Sequence, residues 1–229
     1  MKSEYFYQPS DFSEIVGQSK VKALFKAAFR RRDFPSAHLF IGPPGTGKTT
    51  MAKCIERALN CQNYSIDAFR SCGVCKSCSS QRHRIPIRAP KMSSPEHLKA
   101  IERRTWFAPS NNYNVVIVDE IHSWKHALQD RFLEALDSCP NKSMLILTAT
   151  VDINTHTKAA TMFTEAFTSR CETLYFEQLS DKELVKLIRQ NAKRLCHSIP
   201  GNKAIEIAEQ SFGNAREALK LYRRYALLN

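Results

Sequence analysis

The octapeptide at positions 42–49, Gly42-Pro43-Pro44-Gly45-Thr46-Gly47-Lys48-Thr49, constrains this chain more than any other feature. An apolar run at 37–41 leads straight into it, and a helix-compatible stretch follows to about residue 60. Glycines at this spacing let successive backbone N–H groups turn toward an anion. The helix that follows points the positive end of its dipole at the same place. Lys48 is then placed to reach the terminal phosphates and Thr49 to ligate Mg²⁺, with Thr50 in the same helical turn. A strand, a G-x-x-x-x-G-K-T turn and a helix in this order predict a nucleotide-phosphate site.

A second motif supports the first. Residues 114–118 form a wholly apolar strand candidate that ends in Asp119-Glu120. A carboxylate at the end of a buried strand beside the phosphate loop can hold the Mg²⁺ shell, and its neighbour can orient and deprotonate an attacking water. A third apolar run, 143–147, leads into Thr148-Ala149-Thr150. Helical patterns at 19–32, 95–105 and 124–137 lie between these strands. Strands that are apolar throughout and alternate with helices indicate a parallel sheet covered on both faces. The helix expected from 95 has Ser94 as N-cap, Pro95 at its first position and Glu96 in its first turn.

After residue 179 only helical patterns remain. Ser180-Asp181-Lys182-Glu183 reads as a capping box opening a helix to about 196. Further helices are expected over 200–211 and from Asn214-Ala215-Arg216-Glu217 to the end. The expected architecture is therefore an α/β nucleotide-binding core over 1–177, followed by a small three-helix unit over 178–229.

The chain has 229 residues, of which 43% are hydrophobic and 24% charged, so it can bury a core and is not wholly disordered. Its longest apolar runs, 115–118 and 144–147, fall far short of the ~20 residues that span a bilayer. Residues 1–7 lack the apolar segment of a secretory signal. A soluble, non-membrane, intracellular protein is the expectation. The formal charge of +12 comes from 34 basic and 22 acidic side chains, with small clusters at 30–32, 82–84, 103–104 and 223–224. Such a balance suits contact with nucleic-acid phosphates, the alternative being an ordinary solvated surface.

Eight cysteines without an export signal make disulfides a poor default. Cys61, Cys72, Cys75 and Cys78 stand at the spacing of a four-thiolate site. Four thiolates close a tetrahedral Zn²⁺ shell with no place for water, so the reading is structural zinc; an iron–sulfur cluster or unligated thiols are the alternatives. Cys54, Cys139, Cys171 and Cys196 read as small core residues.

Taken in order, Tyr7-x-Pro9, then Phe12-Ser13-Glu14-Ile15-Val16-Gly17-Gln18, the phosphate loop, the cysteine segment, Asp119-Glu120-x-His122, Ser169-Arg170-Cys171 and Gly213-Asn214-Ala215-Arg216 make a recognisable series. It closely resembles the AAA+ clamp-loader ATPases, most of all those of the gamma/tau type in bacterial DNA polymerase III. The resemblance extends over essentially the whole chain. It implies a Mg²⁺-dependent ATP hydrolase with Lys48 and Thr49 on phosphate and Mg²⁺, Asp119 and Glu120 as the Walker B pair, and Glu120 as catalytic base. Thr150 resembles sensor 1. Arg170 resembles an arginine finger acting in the neighbouring subunit's site, and Arg216 resembles sensor 2 on a helical lid. Tyr7, Pro9, Val16 and Gly17 would line the adenine pocket.

The same resemblance implies partners: other clamp-loader subunits in a ring or spiral, a sliding clamp and primer–template DNA. It implies a bacterial cytoplasm, or a host cytoplasm if the chain is phage-encoded. The family carries a helical collar after the lid, and this chain stops at Asn229, so oligomerisation either needs further chain or uses other surfaces. The stretch from 151 to 168, Gln8, and the basic segment 81–92 also depart from the family pattern. The alternative function is an AAA+ ATPase that loads another DNA-processing factor, a helicase loader or a transposition regulator. A catalytically silent scaffold and a zinc module with a passive phosphate loop are further rivals.

Overall fold

The computed structural model describes residues 9–79, 87–89, 95–106, 113–151 and 162–228. A single turn of 3-10 helix, Phe12–Glu14, precedes α1 (Ser19–Arg31). The order then runs β1 (Ala37–Gly42), α2 (Lys48–Asn60), α3 (Lys76–Ser79), β2 (Ile87–Arg88), α4 (Pro95–Trp106) and β3 (Asn114–Asp119). It continues with α5 (His126–Asp137), β4 (Ser143–Thr150), α6 (Glu165–Thr168) and β5 (Glu172–Tyr175). Three helices close the chain: α7 (Asp181–Arg194), α8 (Gly201–Glu209) and α9 (Ala215–Leu228).

Among the described residues the strands make one parallel sheet in the order β2-β3-β4-β1-β5. Because side chains alternate across a strand, each of the three central strands serves two cores. Leu39 and Ile41 of β1, Val116 and Val118 of β3, and Leu145 and Leu147 of β4 join Leu98, Ile101, Phe132 and Phe167 on one face. Phe40, Val115, Ile117, Met144 and Ile146 face the other way, onto Phe25, Met51 and Ile55 of α1 and α2. This two-sided burial is why the strands carry no polar–apolar alternation.

Beyond Leu179 a third cluster forms, in which Leu184, Leu187 and Ile188 meet Ala204, Ile207, Leu219 and Tyr222. The capping box at the start of α7 is present in full: Ser180 Oγ accepts from the Glu183 N–H, and Glu183 Oε2 accepts from the Ser180 N–H at 2.9 Å. Val16, from the segment before α1, packs into this same cluster. Strand β4 runs three residues past the expected 143–147, to Thr150, because Gly42 and Thr150 are still in register with β1. The short edge strands β2 and β5 were not expected. Ser94 lies outside the described residues.

Candidate active site

The C-terminal ends of β1, β3 and β4 open onto a cleft of about 850 Å³ between the sheet and helices α7 and α9. This is the crevice where an open parallel sheet places its ligands. The phosphate loop forms its floor, with Pro44, Gly45, Thr46, Gly47, Lys48, Thr49 and Thr50 all lining it. Gly42 and Pro43 sit behind the floor: their carbonyls accept 2.7 Å hydrogen bonds from Lys48 Nζ, and the Pro43 carbonyl also accepts from Thr46 Oγ1 at 2.9 Å. The loop is thus folded around its own lysine. Burial pushes the Lys48 pKa down to about 8, Asp119 opposes that shift, and Arg216 adds to it.

Asp119 stands opposite, at the end of β3. One of its oxygens, Oδ1, accepts from Thr49 Oγ1 at 2.8 Å and from Thr148 Oγ1 at 2.5 Å. Thr148 Oγ1 also accepts from the Glu120 N–H at 3.2 Å. One hydroxyl therefore ties both acids to β4. Glu120 is exposed in the cleft, with its backbone in the left-handed region at φ 65°, which turns its carboxylate away from the strand direction. Thr49 and Asp119, sharing one bond across the cleft, fit the donor set of a Mg²⁺ ion: two hard oxygen groups with space for waters and phosphate. Thr150 also lines the cleft, and its N–H donates to His122 Nδ1 at 3.1 Å. Burial lowers the His122 pKa, in keeping with an unprotonated Nδ1 that accepts this bond.

The last helix closes the other side. Asn214 Oδ1 caps α9, accepting from the N–H groups of Arg216 (3.0 Å) and Glu217 (3.2 Å). The next amide, Ala215 N–H, donates to the Gly45 carbonyl at 3.1 Å, so α9 is fastened directly to the phosphate loop. Gly45 permits this approach, since a Cβ there would overlap the Asn214 amide, and its φ of +75° suits glycine. Arg216 is exposed and points into the cleft from the first turn of α9. A cation at a helix N-terminus opposes the dipole, which an anionic ligand would offset.

Pro9 and Val16 line the cleft, joined by Ile15. Gly17 stands beside the lining, where its Cα faces Leu179 and Glu183. Tyr7 lies outside the described residues. Arg170 is brought nowhere near this cleft. It lies on the surface, with Nε 2.7 Å from Asp137 Oδ1 and Nη1 2.9 Å from the Ala166 carbonyl. Sequence reasoning missed Thr148, Asn214 and the lining residues Leu187, Leu219 and Lys220. Leu219 and Lys220 could have been read from Arg216, because residues three and four apart share a helix face.

Cys61, Cys72, Cys75 and Cys78 come together outside the cleft, with all four Sγ atoms within 4.8 Å of one another. A Zn–S bond of ~2.3 Å implies sulfurs about 3.8 Å apart in a tetrahedron, which this cluster fits with small adjustment. The Cys72 N–H donates to Cys61 Sγ at 3.2 Å and the Cys75 N–H to Cys72 Sγ at 3.4 Å. Backbone N–H groups of Gln62 and Cys78 hold the Cys75 thiol down to about 6. Backbone N–H groups of Val74 and Cys75 lower the Cys72 thiol as well, whereas burial raises Cys61 and pushes Cys78 up to about 12, so two of the four thiols favour thiolate, the form a metal requires.

Known proteins resemble this chain in sequence and in fold. The family described as DNA polymerase III, delta subunit, matches residues 17–180. The DNA polymerase III subunit gamma/tau of Mycoplasma genitalium is 28% identical over 219 residues, covering 94% of this chain and 35% of that protein. Subunit tau of Bacillus subtilis is 28% identical over 219 residues, covering 94% and 38%. The chain therefore spans little more than a third of the length of these relatives. Among solved structures, the RuvB Holliday junction branch migration motor of Thermotoga maritima superposes with a TM-score of 0.67 at 23% identity, over 95% of this chain and 64% of that one. That likeness establishes a shared fold. The family match takes in the phosphate loop, Asp119 and Arg170, and by it the chain belongs to the DNA polymerase III delta-subunit family, with the architecture of a clamp-loader-like AAA+ ATPase.

Proposed function

We propose that this chain is an ATPase subunit of a sliding-clamp loader, in which ATP binding and hydrolysis drive the loading of a clamp onto primer–template DNA. The observation that carries this reading is the arrangement of Thr49, Asp119, Thr148 and Glu120 across the cleft from Lys48 and Arg216. Residues 1–177 act as the nucleotide-binding core and 178–229 as a lid. Lys48 and Arg216 hold the triphosphate from floor and lid. Bound Mg²⁺ would neutralise phosphate charge, held by Thr49 and Asp119. Glu120 accepts a proton from the attacking water, and the Thr148 hydroxyl fixes the backbone from which Glu120 projects. Thr150 reports on the γ-phosphate end through its place in the lining.

Arg170 serves a neighbouring subunit. Its guanidinium donates from Nε to Asp137 and from Nη1 to the Ala166 carbonyl, which among the described residues leaves Nη2 for a phosphate brought by that neighbour. An arginine supplied in trans is worth about 10³–10⁵ in rate, so hydrolysis becomes dependent on assembly. The four-cysteine cluster holds structural zinc. Basic side chains meet DNA through its phosphates, which makes binding sequence-independent and salt-sensitive. The test is ATP hydrolysis across a protein concentration series, with and without primer–template DNA. Specific activity should rise with concentration and with DNA, and Arg170→Ala should abolish it while ATP still binds. A rate that is concentration-independent and survives Arg170→Ala contradicts the trans site. Binding of a sliding clamp separates this reading from a loader of some other DNA-processing factor.

A further inference from the structure

The cysteine cluster lies outside the cleft, yet the segment that carries it is fastened to the segment that lines it. Residues 9–17 form a strap that brings Pro9, Ile15 and Val16 into the lining of the cleft, the segment where the family resemblance puts the adenine pocket. Two contacts tie this strap to the loop between Cys61 and Cys72. The Ser71 N–H donates to Asp11 Oδ1 at 2.7 Å, and both residues are buried. The Phe69 ring stacks on Phe12, with centroids 4.2 Å apart and planes 20° from parallel.

Both tethers depend on how that loop is held. Ser71 directly precedes Cys72, whose N–H donates to Cys61 Sγ. Phe69 has φ 53°, a left-handed conformation that a bulky aromatic residue rarely adopts. It is kept there by a pair of backbone bonds between Ser65 and Arg70, at 2.9 and 3.0 Å, and by the stacked Phe12. Strain of this kind persists only where the surroundings over-determine it. Four sulfurs drawn to one ion would add a further constraint at the end of the loop, at the residue after Ser71.

We propose that Phe69 and Ser71 are positioning residues for the base end of the nucleotide cleft, and that zinc at the four cysteines sets adenine affinity through them. The inference rests on the nucleotide reading of the cleft. Without the ion the Ser71 amide is free to leave Asp11. A buried carboxylate stripped of its donor must rehydrate, and the strap moves with it. Phe12 keeps its contacts with Phe25 and Phe29, so the strap loosens without the core opening. The phosphate end, built on the loop of residues 42–49, is untouched. The predicted signature is loss of base recognition with phosphate recognition intact.

The experiment compares three preparations of the chain: zinc-loaded, stripped with chelator and returned to Mg²⁺ buffer, and zinc-loaded Phe69→Ala. Phe69→Leu serves as the milder variant should Phe69→Ala fail to fold. Zinc content is measured for each, and affinities for ATP and for inorganic tripolyphosphate are read by calorimetry. Stripping and Phe69→Ala should each weaken ATP about ten-fold, the scale of one displaced buried contact. Tripolyphosphate should bind all three equally. Hydrogen exchange should quicken at residues 11–16 and stay unchanged in α2. Unchanged ATP affinity, equal weakening of both ligands, or a chain that holds no zinc overturns the proposal. A zinc-loaded chain that binds neither ligand contradicts the nucleotide reading itself, and this inference falls with it.

Discussion

Lys48 carries its charge into a site where burial favours the neutral amine, and its own loop carbonyls are the partners that keep it in place. A bound triphosphate brings the countercharge that the apo site has only in Asp119 and Glu120. The Lys48 pKa should therefore rise on binding from about 8. The sign follows: binding takes up a proton above that pH, and affinity falls as pH climbs past about 8. Calorimetry in buffers of different ionisation enthalpy measures that uptake directly, and Lys48→Ala should remove it. His38 behaves differently. It is fully buried on β1 between Phe25 and Phe40, neither ring nitrogen has a hydrogen-bond partner among the described residues, and burial pushes its pKa down to about 4. The unfolded chain holds this proton more tightly, so stability is lost as pH falls from about 6.5 toward 4. Between pH 7 and pH 5 the loss is about 2 kcal/mol. In His38→Phe, chemical denaturation at the two pH values should show that difference shrink by about this amount.

At the scale of elements, the site depends on where strands stop and where the last helix starts. β4 carries Thr148 and Thr150 to the cleft because it stays paired with β1 through Gly42. α9 reaches the phosphate loop through the Ala215–Gly45 bond and the Asn214 cap. Gly45→Ala should keep the fold but displace α9, since the added methyl meets the Asn214 amide. ATP affinity should fall, and a fluorescent reporter on α9 should lose its response to nucleotide. Much of this level was legible in the sequence. The phosphate loop, Asp119-Glu120 and the Ser180 capping box are local chemistry, each fixed by side chains a few positions apart. The strands that were missed have no such local mark. β2 is two residues long, and in β5 only Leu174 is buried. Thr148 went unread for a similar reason: its partners, Asp119 and Glu120, lie on a different strand and the turn after it, nearly thirty positions away. The Phe69–Phe12 tether is likewise a long-range contact that no periodicity announces.

For the whole molecule, the parallel sheet fixes one end as the edge that faces the cleft, and the last helix brings Arg216 and Lys220 to its other side. Arg170 stands apart from that cleft, exposed and braced by Asp137. Under the proposed function, this separation places Arg170 in a site on another copy or on a related subunit. The formal charge of +12 suits the proposed contact with nucleic-acid phosphates. The most direct test mixes two variants, Lys48→Ala and Arg170→Ala, each expected to be inactive alone. A Lys48→Ala subunit still carries Arg170, and an Arg170→Ala subunit still carries an intact cleft. Mixing them should restore ATP hydrolysis to a fraction of the wild-type rate set by the proportion of productive interfaces. If wild type hydrolyses ATP and the mixture stays silent at every ratio, Arg170 does not act in trans and the central claim is wrong.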